Sequence, residues 1–473
     1  MNVSRREVLF GAALAPFARV LGGNDDLRIG VVGLRSRGWD HVTGFAALPG
    51  VRVVALCDVD RAVLGQRVEE FQKKYGATPR TCADVRELCD MPDVDAISIA
   101  TPNHWHALMA IWAMQAGKHV YVEKPVSHSI REGRAIVDWQ RRTGLVVQAG
   151  TQCRSSTGLQ DAIAFLRAGG LGRITVARGL CYKPRPSIGR VDGDQPIPDG
   201  VDYELWCGPA AKAPLRRKSL HYDWHWVWST GNGDLGNQGI HQMDICRWAL
   251  GEASLPPATR AWGGRVGYVD DGETPNTMVV VHEYATAPLV FEVRGLPRAT
   301  GAKEMDRFLG ASVGCVIHGE GGWMSIPSYS EAKAFDRDGK LISEWQGGGD
   351  HYANFVDAVR HKDPGRLTAP IVEGHVSSAL CHLGNVSLRL GAPADPAAIA
   401  ETVAGDVAAS EAHARMREHL RVNAVDLAAT PLALGRRLRI EPSSEAFLGE
   451  DADAAEALAR GSHRAPFTMQ GRG

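Results

Sequence analysis

Two short polar segments could carry chemistry, because each follows an apolar run that ends at one edge of a predicted sheet. Thr-Pro-Asn occupies residues 101–103 after the run 96–100, and Glu-Lys-Pro occupies residues 123–125 after a second run. Short apolar runs rich in β-branched residues predict buried parallel strands, and the apolar spacing of residues 104–116 predicts a helix between them. Such a strand–helix–strand unit brings both segments to the carboxyl edge, where open α/β sheets bind ligands. Lys124 is therefore the first candidate catalytic residue.

A nucleotide-binding glycine pattern follows the first apolar run, residues 27–32. In the register G-x-G-x-x-G, Gly33 and Gly38 fill the first and third places, and Arg35 replaces the second glycine. The first glycine permits the tight turn, and the third lets helix and strand pack closely. The second normally lets the backbone approach a pyrophosphate. Arg35 and Arg37 either contact phosphates or point to solvent.

Asp58 follows a second predicted strand, residues 51–57, and lies twenty residues after Gly38. A carboxylate there accepts hydrogen bonds from the hydroxyls of an adenosine ribose and repels a 2′-phosphate, which favours NAD over NADP. The alternative role for Asp58 is the N-cap of a helix that begins near Arg61. Strands alternate with helices over residues 27–150, which predicts a doubly wound parallel sheet of the Rossmann type.

Hydride removal from a secondary alcohol requires one group that takes the hydroxyl proton and one that stabilises the developing alkoxide. A lysine in a dry pocket beside a nicotinamide cation has a lowered pKa and can take the proton, whereas a protonated lysine can stabilise the alkoxide. The alternative is that Lys124 is an ordinary surface lysine. No third ligand accompanies His104 and His106, so no metal is predicted. His104 is interpreted as a helix-start residue near the nicotinamide.

A second candidate motif lies within residues 231–248, which predict a helix from Gln238 onward. Helical spacing places Asn237, His241 and Asp244 on one face of that helix. His241 could act as an acid or base, or bind a hydroxyl group. The alternative is a core histidine whose hydrogen bonds are satisfied by the protein.

These motifs resemble those of the Gfo/Idh/MocA oxidoreductases, a family named for glucose-fructose oxidoreductase and inositol dehydrogenase. Residues 100–106 and 123–125 match the family's motifs at the right separation, and the resemblance extends to about residue 391. It implies a Rossmann domain, a second α+β domain with an open, mostly antiparallel sheet, bound NAD(H) or NADP(H), and sugar-like or cyclitol substrates. It also implies that Lys124 contacts the reacting hydroxyl, that Glu123 helps to place the lysine, and that Pro125 fixes the turn.

The family usually has Asp-x-x-x-His where this chain has Asn237 and His241. An asparagine can orient a partner through hydrogen bonds, but it neither titrates nor stabilises an imidazolium as a carboxylate does. Asp244 either supplies the missing carboxylate or makes a structural contact. The predicted catalytic residues are Lys124, His241, Asn237 and Glu123. The predicted cofactor-binding residues are Gly33, Arg35, Arg37, Gly38, Asp58, Thr101, Pro102, Asn103, His104, Glu123 and Lys124.

Aromatic residues are dense after an irregular loop rich in Pro, Gly and Asp, residues 183–208. The segment 221–228 reads His-Tyr-Asp-Trp-His-Trp-Val-Trp, a composition that suits the faces and hydroxyls of a sugar. The alternative is an aromatic core under a loop, or a subunit contact. The family resemblance implies that Gln152 and Arg154, just after the last Rossmann strand, face the cleft. The predicted substrate-binding residues are Gln152, Arg154, Tyr222, Trp224, His225 and Asp244.

Alternating segments between residues 277 and 326 predict an antiparallel sheet with one face on helices and the other face free. A free face of that size favours a homo-oligomer that pairs through it. The predicted organisation is an N-terminal segment (1–26), a Rossmann domain (27–150), a substrate and oligomerisation domain (151–391) and a C-terminal extension (392–473).

Composition excludes some partners and the N-terminus indicates a location. A formal net charge of -1 over 473 residues argues against nucleic-acid or membrane-surface binding.

Arg5 and Arg6 precede an apolar segment, residues 8–21, that is broken by Pro16 and is too short to span a membrane comfortably. This pattern resembles a twin-arginine export signal and predicts a periplasmic location, with a cytoplasmic enzyme as the alternative. The nine cysteines include no Cys-x-x-Cys pair and predict buried free thiols.

Together these features predict an NAD-dependent oxidoreductase that removes hydride from a secondary hydroxyl of a sugar, glycoside or cyclitol. One alternative retains NAD and uses transient oxidation to hydrolyse or eliminate a glycoside. Two non-enzymatic alternatives are a sugar-binding protein and an assembly protein on a degenerate Rossmann domain. Lys124 together with His241 argues against the first of these, and the near-intact cofactor motifs argue against the second.

Overall fold

Two β-sheets organise the chain, and the computed structural model describes residues 26–469 of it. The paired arginines and the apolar segment of the predicted export signal lie outside the described residues. Within residues 26–469, no helix is long and apolar enough to cross a membrane. All nine cysteines are buried as free thiols, as the sequence predicts.

The first sheet has six parallel strands and carries five helices. In chain order the strands are β1 (Leu27–Val32), β2 (Val51–Cys57), β3 (Arg80–Cys82), β4 (Ala96–Ile99), β5 (His119–Val122) and β6 (Val147–Ala149). The helices are α1 (Ser36–Ala46), α2 (Arg61–Tyr75), α3 (Val85–Asp90), α4 (Asn103–Gln115) and α5 (Ile130–Thr143). The strand order is β3-β2-β1-β4-β5-β6, and every neighbouring pair is parallel. Successive strands are added on one side of β1 up to β3 and on its other side from β4 onward. This switch point between β1 and β4 opens the crevice in which doubly wound sheets bind dinucleotides.

The second sheet has twelve strands in the described part of the chain. They are β7 (Ile174–Tyr182), β8 (Ala258–Gly264), β9 (Thr277–His282), β10 (Leu289–Arg294), β11 (Val313–Gly319), β12 (Gly322–Ile326), β13 (Glu331–Asp336), β14 (Leu341–Gln346), β15 (Ala392–Ala394), β16 (Leu432–Leu434), β17 (Leu438–Glu441) and β18 (Ala446–Leu448). The main path is β14-β13-β12-β11-β7-β10-β9-β8-β16-β15, with β17 paired to β8 and β18. Only β7 and β10 pair in parallel among these strands. The predicted fold class, a parallel Rossmann sheet followed by a mostly antiparallel sheet, is confirmed.

Helices and turns of the second half pack on both sheets. The helices are α6 (Thr157–Arg167), α7 (Tyr203–Cys207), α8 (Ile240–Leu250), α9 (His351–His361), α10 (Ile371–Arg389), α11 (Pro396–Val403), α12 (Val407–Val422) and α13 (Ala452–Arg460). Short 3₁₀ turns lie at Gln152–Ser155, Asp223–Trp226 and Pro364–Arg366, and a π-helical turn lies at Leu235–Gly239. One face of the second sheet packs on α6, α8 and α10 around a core that includes Met243, Leu380 and Phe291.

The opposite face of the second sheet is covered by the chain itself. Val279 and Val290 on this face lie in one buried cluster with Ile399 of α11 and with Ala412 and Met416 of α12. The prediction of a homo-oligomer rested on this face being free, and that argument is wrong over β7–β10. Sequence patterning could not reveal the cover, because α11 and α12 lie more than a hundred residues further along the chain.

A buried group of charges fastens α12 to the sheet. Glu292 of β10 is 1% exposed and accepts hydrogen bonds from the Tyr182 hydroxyl at 2.8 Å and from the guanidinium of Arg415. Arg178 of β7 is buried beside it and donates to Glu411 of α12 at 2.6 Å. Removal of one partner from a buried ion pair leaves an uncompensated charge, which costs more than the pair itself contributes.

Glu292→Gln should therefore destabilise the protein by about 3–5 kcal/mol, because Arg178 and Arg415 would lose their shared carboxylate. Glu418→Gln is the matched control, since Glu418 pairs with Arg421 on the exposed side of α12 and the substitution should leave the unfolding midpoint nearly unchanged. Urea unfolding of both variants measures the shift in midpoint at unchanged slope. Equal shifts for the two variants would show that the buried network does not hold α12.

Candidate active site

A cleft of about 700 Å³ lies at the carboxyl edge of the first sheet and collects most of the predicted site residues. The predicted residues that line it are Gly33, Arg35, Arg37, Gly38, Asp58, Thr101, Pro102, Asn103, Glu123, Lys124, Tyr222, Trp224, His225 and Asn237. Residues from the first sheet form one part of the wall, and the loop that follows α7 forms another. A dinucleotide cradle and an aromatic surface therefore face the same space.

The glycine loop between β1 and α1 is built for close approach. Gly33 has φ of +80°, and a Cβ there would lie 2.7 Å from the carbonyl oxygen of Ala100. A Cβ on Gly38 would lie 1.6 Å from the carbonyl oxygen of Gly33. Arg35 has φ of -70°, so the backbone conformation at the second position of the pattern does not require a glycine. Among the described residues, no side chain caps α1 and no acidic residue lies in its first turn, so its N–H groups can receive a pyrophosphate.

Asp58 anchors the glycine loop through a hydrogen bond from the loop backbone. Its carboxylate accepts hydrogen bonds from the backbone N–H groups of Leu34 at 2.8 Å and Asp60 at 3.0 Å. Asp60, not Asp58, caps α2 by accepting from the N–H groups of Ala62 and Val63, so the alternative role for Asp58 is wrong. Burial raises the pKa of Asp58, and the two N–H donors oppose that rise. Its position beside the loop suits the ribose contact that favours NAD.

Glu123 is the electrostatic centre of the cleft wall. Its Oε1 accepts hydrogen bonds from Arg37 Nε at 2.7 Å and from His41 Nε2 at 3.0 Å. Burial alone would raise the pKa of this carboxyl group, but Arg37 and His41 hold the pKa well below its usual range. Arg37 is therefore fastened to Glu123 by its Nε, while its partly exposed guanidinium still lines the cleft, so a contact with phosphate stays a prediction.

Lys124 lies between Glu123 and the second half of the chain. Its backbone N–H donates to Glu123 Oε2 at 3.1 Å, and its Nζ donates to the backbone carbonyl of Asn237 at 2.7 Å. The Lys124–Pro125 peptide bond is cis. Burial lowers the pKa of Lys124, Glu123 opposes this, and the nearby cation of Lys183 adds to it.

Asn237 and His241 approach Lys124 in an arrangement that sequence reasoning did not anticipate. Asn237 lies in the π-helical turn that precedes α8, and its main-chain oxygen, rather than its side chain, binds Lys124. His241 is buried, and its Nδ1 has no hydrogen-bond partner within residues 26–469. Its ring lies 4.9 Å from that of Tyr329. Burial and the charge of Lys124 lower the pKa of His241 to about 3, so the imidazole is neutral at physiological pH.

Arg154 and Asp244, predicted to bind substrate, do not line the cleft. Arg154 donates to both carboxylate oxygens of Asp244, at 2.8 and 2.9 Å, and Ser377 donates to the same carboxylate at 2.6 Å. A carboxylate with these partners is already satisfied and cannot replace the aspartate missing at Asn237. Gln152 is half-buried and also stays out of the cleft wall.

The two histidines at the start of α4 serve the scaffold. His104 Nε2 lies 3.0 Å from the carbonyl of Trp206, and burial lowers its pKa to about 3. Its ring does not line the cleft, so it does not approach the predicted nicotinamide position. His106 lies between the carbonyls of Thr101 at 2.7 Å and Pro125 at 2.6 Å, and thereby joins the two polar loops. Within the described residues, no group of three His, Cys, Asp or Glu side chains is arranged to hold a metal ion.

An aromatic surface faces the cleft from the loop after α7. The rings of Trp224 and His225 stack with centroids 3.6 Å apart. His225 Nδ1 lies 2.6 Å from the carbonyl of Tyr222 and must carry the proton, because a carbonyl only accepts. Its Nε2 is then left as an acceptor. Tyr222 is 52% exposed, so the surface is open to a ligand that presents both C–H groups and hydroxyls.

Sequence reasoning missed a polar group beside His241, whose ring lies next to that of Tyr329. Gln238 receives a hydrogen bond from Lys183 Nζ at 3.3 Å and donates to the Tyr329 hydroxyl at 2.8 Å. Gln238 follows Asn237 directly, but Lys183 and Tyr329 come from loops that are distant along the chain. No local pattern marks either of them.

Two family models match the chain. Residues 27–151 match the Gfo/Idh/MocA domain described as "Oxidoreductase family, NAD-binding Rossmann fold", and residues 174–260 match its "C-terminal alpha/beta domain". The chain contains Gfo/Idh/MocA oxidoreductase domains. The resemblance seen in the sequence is thereby confirmed for these domains, including the assignment of the first sheet to NAD binding.

Curated relatives share part of the chain. An alpha-N-acetylgalactosaminidase of Shewanella oneidensis is 38% identical over 121 residues, which is 25% of this chain and 26% of the relative. A glycosyl hydrolase family 109 protein of Shewanella sp. (strain ANA-3) matches to the same extent. The chain thus spans about a quarter of the length of these relatives.

Solved structures share the fold over most of their length. The WlbA dehydrogenase of Bordetella pertussis, in complex with NADH and UDP-GlcNAcA, aligns with a TM-score of 0.57 at 20% identity over 77% of this chain and 97% of that one. A levoglucosan dehydrogenase in complex with NADH and levoglucosan aligns with a TM-score of 0.57 at 18% identity, over 76% and 96% of the two chains. At these identities the likeness shows the two-domain fold.

Arg37→Met should destabilise the protein in a pH-dependent way. In the parent protein, the pKa of Glu123 is lower in the folded state than the value of about 4.3 in the unfolded state, so its ionisation stabilises the fold above about pH 4.3. This stabilisation is lost as the pH falls through the folded pKa. Loss of the guanidinium raises the folded pKa and so removes part of the stabilisation. The gap between parent and variant should be about 1–3 kcal/mol at pH 7, below the value for a fully buried pair because the Arg37 side chain is 38% exposed. It should narrow as the pH falls below the ordinary carboxyl range.

Urea unfolding at several pH values measures this gap. Arg52→Met is the control, since Arg52 is exposed on β2 and forms no ion pair within the described chain. A gap for Arg37→Met that stays constant with pH would mean that Glu123 does not sense Arg37.

Proposed function

We propose that the protein is an NAD-dependent oxidoreductase that removes hydride from a secondary hydroxyl of a sugar, glycoside or cyclitol. The observation that carries the proposal is the position of Lys124. Lys124 lines the same cleft as the glycine loop, Asp58 and the aromatic surface of Tyr222, Trp224 and His225. The cradle admits a dinucleotide, the lysine can handle a hydroxyl proton, and the aromatic surface suits a sugar ring.

Each group of the cleft has a distinct part in this reaction. NAD bound in the cradle supplies the hydride acceptor. Lys124 donates a hydrogen bond to the reacting oxygen and, with its lowered pKa, can exchange the hydroxyl proton. Glu123 stays ionised and fixes the lysine through its backbone N–H, while the Asn237 carbonyl directs Nζ. His241, predicted to be catalytic, is a buried neutral imidazole near Lys124 that does not line the cleft, so Lys124 rather than His241 meets the substrate.

Lys124→Ala should lower kcat/KM for the sugar by about 10²–10⁴-fold, the usual contribution of a positioned proton-transfer group. The affinity for NAD should change little, because the glycine loop and Asp58 are untouched. Lys212→Ala is the control, as Lys212 is an exposed lysine paired with Glu204. Steady-state kinetics and NAD titration measure the two quantities. Unchanged turnover with intact NAD binding would remove Lys124 from the mechanism.

A second candidate function is glycoside hydrolysis or elimination through transient oxidation by retained NAD. The observation in its favour is the similarity to glycosyl hydrolase family 109 proteins. Both candidates use the same first step at the same lysine. They differ in whether hydride leaves the protein as NADH or returns to the sugar.

The two candidates separate in one experiment on the purified protein. Mass spectrometry after denaturation identifies the retained cofactor, and a panel of sugars and glycosides is then assayed for NADH absorbance and product mass. Oxidised product with NADH supports the dehydrogenase, whereas cleaved glycoside with retained NAD and no net NADH supports the second candidate. If the purified protein contains no NAD and binds none when NAD is added, both candidate functions are excluded.

We also propose that the protein is exported by the twin-arginine route. The support is the Arg5-Arg6 pair before a short apolar segment, together with a fold that needs no disulfide among its nine cysteines. Fractionation of expressing cells tests this, and retention in the cytoplasm would contradict it.

Pairing of two copies would have to use a surface other than the one that α11 and α12 cover, such as β14 with its exposed Leu341 and Ile342.

A further inference from the structure

A second cavity, of about 440 Å³, is separated from the cofactor cleft by one hydrogen-bonded wall. Asn103 lines the cleft and donates from Nδ2 to Oδ1 of Asn232 at 3.0 Å, and Asn232 lines the second cavity. Helix α10, the start of α5 and residues 457–462 contribute the other walls. The volume lies within the range of small-molecule sites.

A buried polar atom in this cavity lacks a partner. Asn385 of α10 is 5% exposed, and its Nδ2 donates to the backbone carbonyl of Asn232 at 2.9 Å. Its Oδ1 has no hydrogen-bond partner within residues 26–469. An unpaired buried amide oxygen destabilises the protein, and a hydrogen bond from a ligand hydroxyl would remove that cost.

The interior is polar, and its one buried acidic side chain is already hydrogen-bonded by the protein. His104, His128 and His382 line it, and burial lowers the pKa of each ring, to about 3 for His104 and His382. Glu132 is its buried acid, and its carboxylate already accepts the backbone N–H groups of His128 at 2.7 Å and Ser129 at 3.0 Å. Such a surface offers hydrogen bonds to a neutral ligand, and the Glu132 carboxylate disfavours an anion.

The mouth of the cavity combines an indole with flanking charges. The guanidinium of Arg389 lies 5.1 Å from the ring centroid of Trp228, and the Trp228 backbone N–H donates to Glu273 at 2.6 Å. Arg389 and Glu273 carry opposite charges, so the mouth has no strong preference for an anion. Aromatic rings beside hydrogen-bonding groups suit the C–H groups and hydroxyls of a sugar.

We propose that this second cavity binds a neutral polyhydroxylated ligand, such as one sugar unit, at a site distinct from the cofactor cleft. The Asn385 oxygen accepts a ligand hydroxyl, and Trp228 packs against the exposed part of the ligand. This site does not depend on the redox reaction, since its lining residues include neither Lys124 nor the glycine loop.

Calorimetric titration of the full chain with D-glucose, N-acetyl-D-galactosamine and myo-inositol tests the proposal, and D-glucuronate serves as the anionic match for glucose. Asn385→Leu and Trp228→Ala alter the second cavity, and Tyr222→Ala is the matched change in the cofactor cleft. Thermal unfolding establishes that each variant is folded. Trp228 is only half-buried, so its variant tests the site even where Asn385→Leu fails to fold.

At least one neutral probe should bind the parent, with an affinity reduced about tenfold or more by Asn385→Leu and Trp228→Ala and retained by Tyr222→Ala. Glucuronate should bind more weakly than glucose. Binding that survives both second-cavity variants, or that disappears with Tyr222→Ala, would place the sugar in the cofactor cleft and overturn the proposal. Stronger binding of glucuronate, or no binding of any probe, would overturn it equally.

Discussion

The buried carboxylate of Glu123 is the constraint on which the rest of the cleft depends. A carboxylate in this position is stable only while Arg37 and His41, both on α1, remain in place. The same side chain also receives the backbone N–H of Lys124. The glycine loop starts α1, so one ionic contact fixes the cofactor cradle relative to the lysine. Gly150 belongs to this constraint, because a Cβ there would lie 2.9 Å from the Glu123 carboxyl group.

The first sheet could be predicted from the sequence because its signals are local. Strands buried on both faces appear as apolar runs, and helices start and stop at residues with the required side chains. Helix α2 illustrates this, because the sequence predicts a helix that begins near Arg61 and α2 begins at Arg61 in the structure. The place of Lys124 follows from topology alone, since every strand of a parallel sheet delivers its carboxyl end to the same edge.

Long-range partners could not be predicted, because a pattern gives an element and its face but not what packs there. Arg154 has the side chain of a ligand-binding residue, and only the fold reveals that Asp244 occupies it. The cover of the second sheet by α12 has the same origin, since Arg178 and Glu411 lie 233 positions apart. The contact between Asn237 and Lys124 could not be predicted for another reason. Asn237 lies in a π-helical turn, and this turn directs its backbone carbonyl, rather than its side chain, to Lys124.

The absence of a carboxylate at position 237 changes how charge is distributed in the cleft. No carboxylate is hydrogen-bonded to His241 within the described chain, and its pKa of about 3 keeps the ring neutral. Positive charge next to the substrate is then carried by Lys124. A nicotinamide cation nearby would lower the pKa of that lysine further, since like charges disfavour the protonated form. In the proposed reaction, the neutral amine of Lys124 would therefore be most populated before hydride transfer, and loss of the nicotinamide charge on reduction would strengthen it as the proton acceptor, which ties proton uptake from the hydroxyl to hydride removal.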